Sequence, residues 1–249
     1  MGLFDNVTTS SKVKAEVDVV RGQKKEPLAS DIYNMIIKYA YATKSKGGAM
    51  GVTIVLSTPD GREVKDVQWI TSGDAKGNKT YYEKENADTK TLEQFSLPGF
   101  NAIDSLCKLV LDKGVLECDN EKRTIKLYDY DAKAEVPKEV DMLIDLVGKP
   151  ICAAVLNQVE DKTAKNAQSG QYEPTGKTYS TNVIDKYLDP NDRCTAQEKA
   201  NKVESTYAAS WITKWKGQIS DQSTVAKTAG QPGVPAATGA AVKKATLFG

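Results

Sequence analysis

Residues 32–43 read IYNMIIKYAYAT and decide the fold, because these twelve positions are rich in β-branched and aromatic side chains. Such side chains favour strands, and the stretch is long enough for a strand that bends around a barrel. Strict alternation would place five side chains on one face of this strand: Tyr33, Met35, Ile37, Tyr39 and Tyr41. We therefore predict that the first strand of the fold lies here.

Two further strands follow after short turns. The turn KSKGGAMG of residues 44–51 leads into an apolar strand over residues 52–56. Pro59 and Gly61 mark a second turn, since proline presets φ and glycine tolerates positive φ. A third strand is predicted over residues 63–71. Three antiparallel strands joined in this way begin an OB barrel, so we expect an α+β fold, mainly β: an OB-like antiparallel β-barrel with peripheral helices.

The second half of the chain predicts helices and another pair of strands. A helix after Pro98, capped near Gly114, is indicated by apolar residues spaced three and four apart: Phe100, Ile103, Leu106, Cys107, Val110 and Leu111. Residues 148–156 read as a strand, with residues 176–188 as its partner. Thr195 and Glu198 fit a capping box, which predicts a helix over residues 196–211.

Polar stretches between these elements are predicted to be loops. Residues 72–91 and 161–175 contain few aliphatic side chains and cannot pack a core, so each reads as a long loop. Between them, a short strand is expected over residues 124–130 and a helical turn after Pro137.

Composition divides the chain into three parts. Residues 1–30 lack a sustained hydrophobic period and are predicted to form an N-terminal arm, and residues 31–216 are predicted to form the OB-like single-stranded DNA-binding domain. Residues 217–249 are rich in Ala, Gly, Thr, Pro, Ser and Gln, which is typical of a flexible tail. The end of this tail carries the candidate partner-binding residues Lys243, Lys244, Leu247 and Phe248.

Charge and residue types limit the possible functions. The chain has 34 Lys and Arg against 33 Asp and Glu, a formal net charge of +1, so any nucleic-acid site must be a local patch. It has no histidine, and its four cysteines form no C-x-x-C pair, so we expect no metal site and no cofactor, and enzymatic activity is disfavoured. No apolar run of 18 residues occurs, which predicts a protein of the reducing cytoplasm rather than a membrane protein.

Single-stranded nucleic acid is bound by cations that meet phosphates and by exposed rings on which bases stack. Lys44 and Lys46 flank the first turn, and further candidates lie on the strands and in the long loop that follows them: Tyr39, Tyr41, Trp69, Lys76, Lys79, Tyr81 and Tyr82. Other interpretations remain open at each position. The lysines fit a solvated turn, the strand rings fit the core, and the adjacent tyrosines could fold back over the barrel.

Two other functions stay in view. Asp129 and Asp131 alternate on a predicted strand and could hold magnesium as nucleases do, although no accompanying nuclease motif or phosphate-binding glycine loop is present. Alternatively, the exposed tyrosines could form the centre of a protein interface in a structural or interaction module.

The order of these features resembles the single-stranded DNA-binding proteins of tailed phages, most closely those of schitovirus-type podophages. The resemblance covers nearly the whole chain and is carried by an ordered set: Met1-Gly2-Leu3-Phe4, the strand Tyr33 to Thr43 with Lys44-Ser45-Lys46-Gly47-Gly48, the strand to Trp69, the helix after Pro98, Gly148-Lys149-Pro150 and Asn182-Val183-Ile184.

This resemblance implies an OB-like core without enzymatic activity, in the cytoplasm of an infected bacterial host. It implies that the protein coats displaced single strands in DNA replication and recombination, and co-activates host RNA polymerase in late transcription through its C-terminal end. The resemblance also implies contact with phage replication proteins. Many such proteins end in an acidic tail, whereas this chain ends Lys243-Lys244-Ala245-Thr246-Leu247-Phe248-Gly249. Partner contact would therefore use basic and apolar residues.

Overall fold

Three consecutive strands form the first part of the sheet in the computed structural model, which describes residues 26–129 and 132–224. They are β1 (Asp31–Lys44), β2 (Met50–Ser57) and β3 (Glu63–Trp69). Each pairs antiparallel with the next, so the predicted meander is confirmed. The turn between β2 and β3 places Gly61 at φ +79°, as the turn signal there requires.

Within residues 26–129 and 132–224, the remaining strands form three hairpins and one short final strand, and three α-helices lie among them. In chain order they are β4 (Tyr81–Glu85), β5 (Leu92–Ser96), α1 (Pro98–Leu111), β6 (Glu121–Asp129), β7 (Ala134–Met142), β8 (Pro150–Lys165), β9 (Tyr172–Leu188), α2 (Ala196–Asn201), α3 (Tyr207–Trp215) and β10 (Ile219–Asp221). The strands are mostly antiparallel and the helices few, so the predicted α+β class is confirmed.

The main sheet runs in the spatial order β3-β2-β1-β8-β9. Its two ends approach each other, because β9 packs against β3 and the Tyr187 hydroxyl on β9 donates a 2.7 Å hydrogen bond to Asp66 on β3. No backbone ladder joins β3 to β9 in the described ranges, so side chains rather than hydrogen-bonded strands bring these ends together.

β8 is buried on both faces and organises two hydrophobic clusters. Ile151, Ala153 and Val155 face the larger cluster, where α1 contributes Ile103 and Leu106. On the opposite face, alternate residues of β8 pack against Trp211 of α3 and the buried Ile32 of β1: Cys152, Ala154 and Leu156. A strand that is buried on both faces has apolar residues at consecutive positions. This continuous apolar run is the pattern from which the sequence predicts β8.

One side of β8 is shared by two strands placed end to end. Asp31–Ile36 of β1 pairs with residues 150–155, and β10 then runs parallel to residues 157–159. Ser30 joins the two, since its carbonyl accepts from Gly217 N–H and its hydroxyl donates to the Gln218 carbonyl. The folded domain therefore extends past the predicted boundary at residue 216.

Both predicted long loops were wrong. Within residues 72–91 the chain forms a short 3-10 turn and then β4, and within 161–175 strands β8 and β9 continue to a turn of only residues 166–171. These ribbons extend away from the core with nearly all side chains exposed. They consequently have no apolar alternation that could reveal them.

Other local predictions also need correction. The residues after Pro137 belong to strand β7 rather than to a helical turn. Helix α1 ends at Asp112, which takes the left-handed conformation, while Gly114 is extended. The helix predicted over 196–211 is interrupted, since Lys202 adopts φ +54° and ends α2. A register shift between Ile37 and Tyr39 breaks the alternation of β1, so Ala40 is fully buried while Tyr39 is half-buried.

Candidate nucleic-acid interface

Two basic loops are docked against each other beside the end of β3. Asp74 N–H donates a 3.0 Å hydrogen bond to the Gly47 carbonyl, which joins the loop after β3 to the β1–β2 turn. Gly48 makes this approach possible: its φ is +78°, and a Cβ there would lie 1.9 Å from Asp74 Oδ2. Gly73 similarly has φ +84° and lies against the Gly47 carbonyl.

This docking joins the two chain segments that carry four predicted lysines, which we call the lysine cluster: Lys44, Lys46, Lys76 and Lys79. All four are exposed, and the first three make no ion pair with any described residue. Lys79 forms an ion pair, with its Nζ 3.8 Å from Glu83 Oε1. Asp74 adds one negative charge to this region, and its Oδ1 accepts a hydrogen bond from the Asn78 side-chain amide. The cluster is therefore locally positive in a nearly neutral chain.

Trp69 presents an exposed indole next to the lysine cluster. It lies opposite Gly51 on β2, where a Cβ would come within 2.8 Å of indole Cε3, so the missing side chain leaves room for the ring. The side chain is 42% exposed and shares the outer face of β3 with Lys65 and Val67. Helix α1 fixes the backbone beneath, because Gly99 packs against Trp69. Such a fixed, half-exposed ring can stack with a base.

The predicted tyrosines divide into separate groups. Tyr81 lies beside the cluster, with Lys79 Nζ 5.3 Å from its ring centre. Tyr39 is half-buried on β1. Tyr41 is only 5% exposed, so its ring is part of the protein interior and is not accessible to a base. Tyr82 points to the other side of the β4–β5 hairpin, where it stacks on Phe95 with ring centres 5.7 Å apart.

The Tyr82 side of the hairpin borders a cleft that sequence analysis missed. This cleft has a volume of about 550 Å³ and lies between the hairpin, α1 and the β3–β9 junction. The sequence does not reveal the pairing of Tyr82 with Phe95, because residues 72–91, which include Tyr82, are predicted to be a loop. By contrast, the exposed face of β3 could be predicted from sequence, because Lys65 and Val67 alternate with Trp69 on one predicted strand.

Two residues that line this cleft, Gln68 and Tyr187, form hydrogen bonds to the buried carboxylate of Asp66. Asp66 accepts from Tyr187 and, at 2.8 Å, from the Gln68 side-chain amide. Burial raises the pKa of Asp66, although these hydrogen bonds act in the opposite direction. Burial also raises the pKa of Tyr187 well above its ordinary value, with the Asp66 charge acting in the same direction. The network fixes the orientation of Gln68.

In the described ranges, no group of three or more His, Cys, Asp or Glu side chains is placed to hold a metal ion. Asp129 forms a 2.8 Å ion pair with Lys138, and Asp131 lies outside the described residues. Burial raises the pKa of the Cys107 and Cys152 thiols, which disfavours their nucleophilic thiolate forms.

The predicted tail residues Lys243, Lys244, Leu247 and Phe248 lie outside the described part of the chain, as does the N-terminal arm up to residue 25. Among the described residues, no helix combines the length and apolar character needed to cross a bilayer. No protein-family model and no curated protein matches this sequence. The geometry and chemistry of the lysine cluster and its neighbouring rings must therefore support any functional assignment.

Proposed function

We propose that this chain is a single-stranded DNA-binding protein built on an OB-like barrel. The strand order β3-β2-β1-β8-β9 supports this, since an OB fold is a five-stranded, partly open barrel. The contact between Tyr187 and Asp66 lies where such a barrel would close. Helix α1 packs its apolar face into the barrel interior.

The observation that carries the functional proposal is the docking of the two lysine loops beside Trp69. Four ammonium groups on two docked segments match a polyanionic backbone, while Trp69 and Tyr81 offer rings to unpaired bases. Stacking contributes about 1–3 kcal/mol per base, and lysine contacts add a salt-dependent term through counterion release. Backbone and base-face contacts of this kind give little sequence preference.

The biological setting implied by the sequence resemblance is part of this proposal. The protein would coat displaced strands during phage DNA replication and recombination. Its C-terminal residues would contact host RNA polymerase or phage replication proteins. The lysine cluster lies within residues 44–79, so it does not include the residues proposed to contact these partners.

A protein-interaction module is the second candidate function. One exposed apolar face of the β4–β5 hairpin favours it, since Tyr82 and Phe95 lie together on that face and are 46% and 40% exposed. Apolar groups at the centre of an exposed patch are typical of protein interfaces. Such a module would be indifferent to DNA, and this separates it from the first proposal.

A titration tests the proposed function directly. We expect fluorescently labelled oligo-dT to bind more tightly than a duplex of the same length, with affinity that falls as salt rises. Replacing Lys46 or Lys76 by alanine should make the plot of log affinity against log salt shallower by about 0.7, the value for one single-strand phosphate contact. Lys126→Ala is the matched control, because Lys126 is an exposed lysine on the separate β6–β7 ribbon.

Equal affinity for oligo-dT and duplex, or no binding to either, would end the proposal. An identical loss of salt dependence in the Lys126 control would show that general charge, rather than the lysine cluster, attracts the DNA. Stoichiometric binding to a protein partner without any DNA affinity would favour the interaction module.

A further inference from the structure

The cleft beside Tyr82 lies on the opposite face of the β4–β5 hairpin from Tyr81. Pro98 and Ala102 on α1 form one wall, Phe95 and Tyr82 form another, and β9 closes the far side. Its volume of about 550 Å³ falls in the range of small-ligand sites. None of its residues belongs to the lysine cluster, so it is a separate feature.

The wall formed by Tyr82 and Phe95 has a flat, exposed aromatic surface. Their rings are inclined by only 27°, and both side chains are at least 40% exposed. Two near-parallel rings held by directly opposite positions on paired strands need little reordering to receive another flat ring. The occupant that best matches this wall is planar and aromatic.

Polar groups in the cleft are suited to the edge of such a ring. Asn101 and Ser105 on α1 line the cleft, and their side chains have no hydrogen-bond partner among the described residues. Gln68 uses its amide N–H to bind Asp66, so its carbonyl oxygen is available to accept. Fixed acceptors and donors beside an aromatic wall are how proteins hold the edges of unpaired bases.

Charge in the cleft does not oppose a nucleotide. Asp185 is its acidic lining residue at the rim, and one carboxylate oxygen accepts from Trp211 Nε1 at 2.7 Å and from the Tyr207 hydroxyl at 3.0 Å. Lys186 lies next to it on β9, with its Nζ 5.7 Å from the Tyr207 ring centre. Lys186 could therefore bind the phosphate next to a base that occupies the cleft.

The cleft is connected to the lysine cluster through the base of the hairpin. Ser72 N–H donates to the Lys79 carbonyl, and Leu97 N–H donates to the Thr80 carbonyl, at 2.9 and 2.8 Å. A DNA strand that crosses the lysine cluster at Lys79 therefore reaches the start of the β4–β5 hairpin. The cleft opens on the other face of this hairpin.

We propose that this cleft accepts one nucleobase of a bound single strand, stacked against Phe95 and Tyr82 and held at its edge by Gln68 and Asn101. This inference rests on the proposed DNA-binding function and deepens it, because it adds a site that receives a base instead of the backbone. It predicts that part of the affinity for single-stranded DNA is lost when the bases are removed. This part should not change when lysines of the lysine cluster are replaced.

The test compares oligo-dT with an abasic oligomer of the same length, using the full chain. Phe95→Ala should weaken oligo-dT binding by about 5- to 150-fold, the loss of one stacked base, and leave abasic binding unchanged. Ala102→Trp, which fills the cleft from α1 and keeps the hairpin rings, should act in the same way. Leu92→Ala is the control, because Leu92 is an exposed apolar residue on the other face of the same hairpin.

Each other outcome has a defined meaning. If Phe95→Ala has no effect on oligo-dT, or weakens both oligomers equally, the base site is overturned. If Phe95→Ala weakens binding and Ala102→Trp does not, bases stack on the hairpin outside the cleft, which also overturns it. If the unmodified protein binds neither oligomer, the proposed function itself fails.

Discussion

Gly48 and Gly61 both adopt positive φ, but only Gly48 lies against another loop. A Cβ at Gly48 would collide with Asp74, whereas a Cβ at Gly61 would meet nothing within 4 Å. Replacing either glycine by alanine forces a side chain into a left-handed conformation, but only the change at Gly48 also pushes the two lysine loops apart. Comparing the two variants therefore distinguishes these two effects.

We expect both Gly48→Ala and Gly61→Ala to reduce the free energy of unfolding, by about 1–2 kcal/mol for the left-handed backbone alone. Only Gly48→Ala should also weaken oligo-dT binding, because it pushes the loop that carries Lys76 and Lys79 away from the turn that carries Lys46. Urea denaturation and the oligo-dT titration measure the two effects. A similar loss of DNA affinity in Gly61→Ala would mean that the docking of the loops is not needed for binding.

Turns and strand ends leave the lysines near Gly47 and Gly48 and the ring of Trp69 exposed, and this exposure is a local property. The burial of Tyr41 instead depends on how distant segments pack, which no local pattern records. The partnership of Tyr82 with Phe95 likewise depends on strand register, which no local pattern records.

At the scale of elements, Glu198 links two helices. Its carboxylate accepts from Thr195 N–H at the start of α2 and from the N–H groups of Thr206 and Tyr207 at the start of α3, all within 2.9 Å. Burial alone would raise the pKa of Glu198, but these hydrogen bonds outweigh it and lower the pKa to about 2. The capping box predicted from sequence is confirmed, and the same side chain also serves the second helix.

Glu198→Gln should destabilise the protein by about 2 kcal/mol at neutral pH, after allowance for solvent screening. A glutamate with a lowered pKa in the folded state contributes stability above its unfolded pKa, and this contribution disappears as pH falls towards 2. The difference between variant and original should therefore shrink between pH of about 4.5 and 2. Urea denaturation over this range measures it, with exposed Glu204 changed to glutamine as the control. A difference that stays constant with pH would contradict this role.

The β4–β5 hairpin and the outer part of the β8–β9 hairpin, both predicted to be loops, have turns of the same design. Asn86 and Asn166 each accept hydrogen bonds from the amides two and three residues later, and each side-chain amide donates to a glutamate seven residues on, Glu93 or Glu173. The repeated spacing Asn-Ala-x-Ser/Thr followed by this glutamate was present in the sequence. It is a local turn signal that remains informative where ribbons leave the core and hydrophobic alternation is lost.

For the whole molecule, residues predicted to begin the tail belong to the folded body. Ser30 is 1% exposed, and its hydroxyl and carbonyl bind Gln218 and Gly217. The strand β10 then pairs with β8, and Thr224 N–H donates to Asp161 at 2.9 Å. Composition could not reveal this boundary, because the pairing depends on the backbone rather than on apolar side chains.

A chain truncated after residue 216 should be less stable than one truncated after residue 224, by about 2–4 kcal/mol. It loses these hydrogen bonds, and the Ser30 O–H loses its acceptor, although the Ser30 oxygen still accepts from Asn157 N–H. Chemical denaturation of both truncated chains tests this, and oligo-dT binding by the longer one shows that the body still works. Equal unfolding midpoints would show that β10 is dispensable.

The overall class and the strand meander followed from sequence because buried strands carry continuous or alternating apolar residues, as β1 and β8 do. Helix α1 was found for the same reason, with a different period. The ribbons and β10 were missed because cross-strand hydrogen bonds, set by tertiary contact, define them.

The bond between Ser30 and Gln218 has a dynamic consequence. If the start of β1 frays, β10 loses the hydrogen bond between Ser30 and Gln218. If β10 detaches, the start of β1 loses the same bond, and both strands pair with the same edge of β8. Hydrogen exchange at the two ends of the body should therefore proceed through one shared opening event, so that both ends belong to a single cooperative unit.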